Sequence, residues 1–199
     1  SFNRFRDYEF NDPTNKFDTE EFKVFDDRID DQGNAEIKTK FNLGSNAPSM
    51  LRATFLTRVY EEGGAFSIDQ LSIPYAPYNN YVGLKTPKGD KARGMLLTDE
   101  DHKIEVVTVD DEGNPVARKG VKVKVYKVHW RWWWESGSDN LATYVGSRRH
   151  TPVLSKKINT DENGIGSFKF KIKYPSWGRY LIHIEDPGGH SAGKAVYVD

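Results

Sequence analysis

Apolar and polar side chains alternate with a period of two over much of this chain. Phe168, Phe170, Ile172 and Tyr174 alternate with Lys169, Lys171 and Lys173, and Val121, Val123 and Val125 alternate with Lys122 and Lys124. Tyr180, Ile182 and Ile184 repeat the pattern, as do Ile37, Thr39 and Phe41. An extended strand sends successive side chains to opposite faces, so each run predicts a strand with one face in a core and one in water. Residues 51–60 are β-rich but alternate less cleanly, which predicts a more central strand. Turn clusters separate the runs at 30–34, 110–115, 161–164 and 186–189, rich in Asp, Asn and Gly. Asp and Asn tolerate turn dihedrals and Gly supplies positive φ, so each cluster predicts a chain reversal. Only residues 140–149 suit a helical turn.

Short strands at regular spacing without helices predict an all-β fold of antiparallel β-sandwiches. Two tandem modules are expected, residues 1–80 and 81–199. The boundary falls in 73–80, where Pro74, Pro77, Asn79 and Asn80 make a stiff connector. The second module reads as about seven strands, a complete sandwich. Its first strand is at 82–85 or 92–97, and the others are at 103–110, 121–134, 153–159, 167–174, 179–185 and 192–198. The first module offers strands at 2–10, 22–29, 35–41, 50–60 and 65–73, and lacks two at its start. Residues 30–37 also line up with 161–168, each a turn followed by a strand, which reads as two copies of one module, with convergent turn chemistry as the alternative.

Charge adds little bias. Lys plus Arg is 29 and Asp plus Glu is 29, a formal net charge of zero, so nothing favours nucleic acid or an anionic membrane. The absence of cysteine excludes disulfides, thiol catalysis, iron–sulfur clusters and Cys-based zinc sites. No apolar run is long enough to span a membrane as a helix. Residues 1–10 mix aromatic and charged side chains as no signal peptide does, and a strand-like run ends at Asp199. A piece of a longer chain is expected.

Trp130, Trp132, Trp133 and Trp134, with Arg131 among them, are the oddest feature. Indoles stack on flat faces, so they form a candidate sugar- or peptide-binding patch. The plainer reading, favoured here, is that alternate indoles fill the sandwich while the others cover a neighbouring domain. His102, His129, His150, His183 and His190 have no metal-ligand spacing and are expected to be partly exposed. The Asp-rich turns lack the calcium-loop pattern and read as hairpin turns. Ser136-Gly137-Ser138-Asp139 is a polar loop without a nucleophile motif, and Arg148-Arg149-His150 is a solvated face. No catalytic, cofactor or metal site is expected.

The run from Val125 through Trp130-Arg131-Trp132-Trp133-Trp134 to Ser136 resembles a segment of bacterial alpha-2-macroglobulin family proteins. So does the run Tyr174-Pro175-Ser176-Trp177-Gly178-Arg179-Tyr180 with its continuation Gly193-Lys194-Ala195-Val196-Tyr197-Val198-Asp199. Gly113-Asn114-Pro115-Val116 is similar to the strand grammar of macroglobulin domains, and residues 67–78 fit the end of a preceding one. The resemblance implies macroglobulin-like sandwiches, related to immunoglobulin and fibronectin-III folds, in a periplasmic or envelope-associated protease trap. The parent could carry a lipid anchor. Without cysteine this chain holds no thioester, and no bait segment is recognisable. The implied role is non-enzymatic scaffold, touching neighbouring domains of the same parent chain and meeting a target protease only indirectly. The alternative is a carbohydrate- or surface-binding sandwich tandem using the Trp-rich strand.

Overall fold

The computed structural model describes residues 2–15, 17–40, 47–128 and 151–199. They form an all-β structure in antiparallel sheets, with one short 3-10 turn at Asn3–Phe5. Nine strands follow in chain order: β1 (Leu51–Tyr60), β2 (Phe66–Tyr75), β3 (Asn80–Lys85), β4 (His102–Asp110), β5 (Val121–Val128), β6 (Leu154–Ile158), β7 (Ile165–Phe170), β8 (Gly178–Glu185) and β9 (Ser191–Val198).

The last seven build one sandwich. Its sheets are β3-β4-β7 and β6-β5-β8-β9. The alternating residues turn their apolar sets inward, as the pattern predicts. Val121, Val123, Val125, Phe168, Phe170, Ile172, Tyr180, Ile182 and Ile184 are all buried in the main core. Lys169, Lys171 and Lys173 are exposed on the outer face. Tyr174 leaves the pattern: the ladder ends at Phe170, and the Tyr174 ring is 70% exposed.

β1 and β2 form a separate two-stranded hairpin, in register from Leu51↔Tyr75 to Tyr60↔Phe66. The expected central character of β1 is not found, because β2 is its only ladder partner among the described residues. Leu56, Leu71, Ile68 and Ile73 on the hairpin are exposed. The strands expected at 2–10 and 22–29 do not form, nor does any over the described part of 35–41. Residues 17–40 run exposed, because alternation makes a strand only where another edge takes up its backbone groups.

Five reversals share one turn, at residues 30–34, 61–65, 110–114, 161–165 and 186–190. In each, the first amide donates to the fifth carbonyl and the fourth amide to the first carbonyl. The fourth residue is always a glycine with positive φ, where an L side chain would be strained. The likeness of 30–37 to 161–168 therefore reports a turn used throughout the chain and is not by itself the mark of a repeated module.

Candidate interdomain interface

Residues 2–15 form a strap across the sandwich. The 3-10 turn, closed by Phe5 N–H donating to the Phe2 carbonyl at 2.9 Å, sends Phe2 and Phe5 to one side. Together with Phe10 they pack on Tyr81, Val107 and Val109. Those three stand on the outer face of β3 and β4, whose inner face carries Val82, Leu84, Ile104 and Val106 into the main core. The Phe2 ring meets Phe10 at 4.9 Å and Tyr81 at 5.4 Å, both edge-on, as aromatic quadrupoles prefer.

The strap also closes the seam between the two sheets. Glu9 and Leu84 exchange backbone hydrogen bonds of 2.8 and 3.0 Å, extending the edge at β3. Two residues on, the Asn11 carbonyl accepts from Gly193 N–H at 3.0 Å, on the edge strand β9 of the other sheet. Open strand edges invite pairing with other chains, and one short segment here blunts two of them. Gly113 and Gly193 leave room for it: a Cβ there would stand 2.8 Å from the Phe2 ring and 3.0 Å from Pro13. Residues 47–50 return beside the strap, where the Ala47 carbonyl accepts from the Tyr78 hydroxyl at 2.8 Å and the Pro48 carbonyl from Asp12 N–H at 3.2 Å.

Asp12 anchors the strap. Its buried carboxylate accepts from Thr14 N–H at 2.8 Å, from the Thr14 hydroxyl at 2.6 Å and from the Ser191 hydroxyl, and it pairs with His183 Nε2 at 2.9 Å. Burial alone would raise its pKa. The hydrogen bond and charge of His183, with Ser191 and Thr14, win and hold it well below the usual carboxylate range. Asp, His and Ser meet here, but not as a hydrolase uses them. Ser191 donates to the carboxylate, so its hydroxyl is not the one an imidazole base would activate. Nearby, Tyr8 donates to Glu105 at 3.1 Å, and burial, then that bond, push its phenol up to about 12.

The expectation of partly exposed histidines is corrected for three of them. His102, His183 and His190 are buried. His102 Nε2 lies 2.7 Å from the Leu97 carbonyl and its ring packs on Phe170. His183 points from β8 to the outer face, where the strap covers it. His129 and His150 lie outside the described residues, as do Trp130, Trp132, Trp133 and Trp134 and the helical turn expected at 140–149. Among the described residues no group of His, Asp and Glu is placed to hold a metal ion. Nor is any helix of the described residues long and apolar enough to cross a membrane. Sequence reasoning missed the strap, although β4 carried a signal. Val106 and Val107 are adjacent, so both faces of that strand are apolar, and an outer apolar face needs a cover.

A seven-stranded sandwich, clasped along its seam by residues 2–15, defines a structural protein of the all-β sandwich class. Residues 83–199 match the family model of bacterial macroglobulin domain 6, and residues 1–77 match that of the bacterial alpha-2-macroglobulin MG5 domain. The chain belongs to the bacterial alpha-2-macroglobulin family. Solved structures agree on the fold. Trypsin-activated alpha-2-macroglobulin from Escherichia coli superposes with a TM-score of 0.60 at 14% identity, over 99% of this chain and 13% of that one. The native E. coli protein seen by cryo-electron microscopy gives 0.58 at 16%, over 100% of this chain and 13% of that one. Salmonella alpha-2-macroglobulin reacted with methylamine gives 0.54 at 13%, over 99% and 13%. This chain thus spans about an eighth of the length of those it resembles, and at these identities the likeness concerns the fold. Comparison with curated proteins gives no match.

Proposed function

We propose that this chain is a scaffold segment of a bacterial protease-trapping alpha-2-macroglobulin, with no catalysis of its own. Residues 1–80 and 81–199 are its two macroglobulin-like modules. They space and orient neighbouring domains of the parent chain, which meets the target protease elsewhere. The parent works outside the cytoplasm, in the periplasm or at the envelope, held to a membrane by a lipid anchor if at all. Trp130, Trp132, Trp133 and Trp134 are read as divided between filling the sandwich and covering a neighbouring domain.

The observation that carries this reading is the strap. Phe2, Phe5, Phe10, Asp12 and Thr14, within the part matched as one macroglobulin domain, are buried on the sandwich matched as the next. A buried carboxylate and two backbone hooks in such a joint support a role in orienting one module on the next, which is the task of a scaffold. The test is direct. The 199-residue chain should leave serine protease activity unchanged at any dose, while the full parent protein should retain protease that has cleaved it. Dose-dependent inhibition by the chain alone, or full trapping by a parent lacking this segment, would overturn the assignment.

A further inference from the structure

His190, which immediately precedes β9, has no exposed surface. Its Nδ1 accepts from Val82 N–H at 3.0 Å, so the ring is neutral at that nitrogen. Its Nε2 is buried without a hydrogen bond of good geometry, turned toward the Phe10 backbone of the strap. Tyr81 packs on the ring at 4.7 Å and Tyr78 at 5.2 Å. Burial pushes its pKa down to about 4, against weaker upward pulls from the Phe10 backbone, Asp12 and Asp186.

The surrounding charges are already engaged. From the strap comes Asp12, whose oxygens are taken by Thr14, His183 and Ser191. From the β8–β9 turn comes Asp186, held at both oxygens by Arg118 at 2.8 and 2.9 Å. From the connector and β3 come Tyr78 and Tyr81, whose phenols are kept neutral mainly by burial. A proton on Nδ1 would face the Val82 N–H, donor against donor, and the new cation would need water. The Phe10 backbone of the strap lies against His190 together with Tyr78 and Tyr81, so the strap is one wall of its enclosure. Residues 17–40 behind the strap are exposed and outside any ladder among the described residues, so they leave the chain room to follow it.

We infer that His190 is the trigger of an acid-sensitive latch: on acidification residues 2–15 lift off the seam between β3 and β9 while the sandwich stays folded. The two macroglobulin-like modules are then tethered rather than docked.

Amide hydrogen exchange on the whole chain across pH reads this, with protection factors corrected for intrinsic rates. Protection of Glu9, Leu84 and Gly193 amides, which make the strap's hooks, should fall by about 100-fold between pH 7 and 4. The ceiling for a shift from 6.5 to about 4 is roughly 300-fold. Amides of the β5–β8 ladder should keep theirs. His190→Asn keeps an acceptor for Val82 but takes up no proton, and its hooks should stay protected. If that variant does not fold, the wild-type ring decides: the His190 imidazole, followed by NMR, should titrate at the pH where the hooks open. Unchanged protection down to pH 4, loss of strap and ladder together, opening of His190→Asn at the wild-type pH, or a His190 titration away from the opening pH would each overturn the latch.

Discussion

The Phe10 ring lies directly against Gly83: a Cβ at position 83 would stand 2.7 Å from the ring's Cζ atom. Gly83 is in β3 without positive φ, so its role here is space rather than backbone freedom. Gly83→Val should displace the strap by overpacking, at a cost of about 1–3 kcal/mol. Exchange of the Glu9 amide should rise while the β5–β8 ladder is unaffected. An unchanged Glu9 amide would show that the close contact does not hold the strap.

Asp12 gives an acid dependence with a definite sign. Its folded-state pKa is depressed, so it contributes stability that is present above the unfolded value of about 3.9 and is lost as pH falls toward the lower folded value. Asp12→Asn should therefore be less stable than wild type at pH 7. The gap should close as the pH drops below about 4. Urea unfolding at a series of pH values measures it, and a gap as large at pH 2 as at pH 7 would contradict the assignment.

Arg118 and Asp186 form a two-pronged ion pair in which the Asp186 side chain has no exposed surface. Arg118→Met should leave a buried carboxylate without its main partner and cost about 3–5 kcal/mol. Adding Asp186→Asn to that variant should restore part of the loss, because the stranded charge is then gone. A double variant no more stable than the single one would mean that the pair acts through packing.

Phe170 is buried at the end of β7 and packs on the His102 ring at 5.6 Å. Phe170→Ala removes a large core side chain and should cost about 3–5 kcal/mol in urea unfolding. A loss below about 1 kcal/mol would mean that the core collapses around the gap.

Period-two alternation located β5, β7 and β8, each with one face in the sandwich core, while β4, β6 and β9 were expected as strands lying between turn clusters. It failed at residues 2–10, where the aromatic residues Phe2, Phe5 and Tyr8 recur every three positions, the spacing of a tight turn. It failed again at Ile37 and Thr39, where the pattern exists but no edge among the described residues receives the backbone. The site was less legible than the fold. His183 sits between Ile182 and Ile184 in β8, and in the sequence it reads as a wet outer-face residue. Only the distant Asp12, 171 residues away, makes that face an interior. A pairing of such separation leaves no local trace, whereas turns and alternation are written within a few residues.

That separation also sets the order of events at the ribosome. Asp12 and Ser191 are 179 residues apart, and chains emerge at roughly 5–20 residues per second. The strap therefore exists on the order of ten seconds or more before β9, although Tyr81, Val107 and Val109, on which Phe2, Phe5 and Phe10 pack, emerge well ahead of that strand. The seam can close fully only once β9 has emerged, so the Asn11 and Asp12 contacts follow the aromatic ones, and a pause in translation before β9 would prolong the half-closed state.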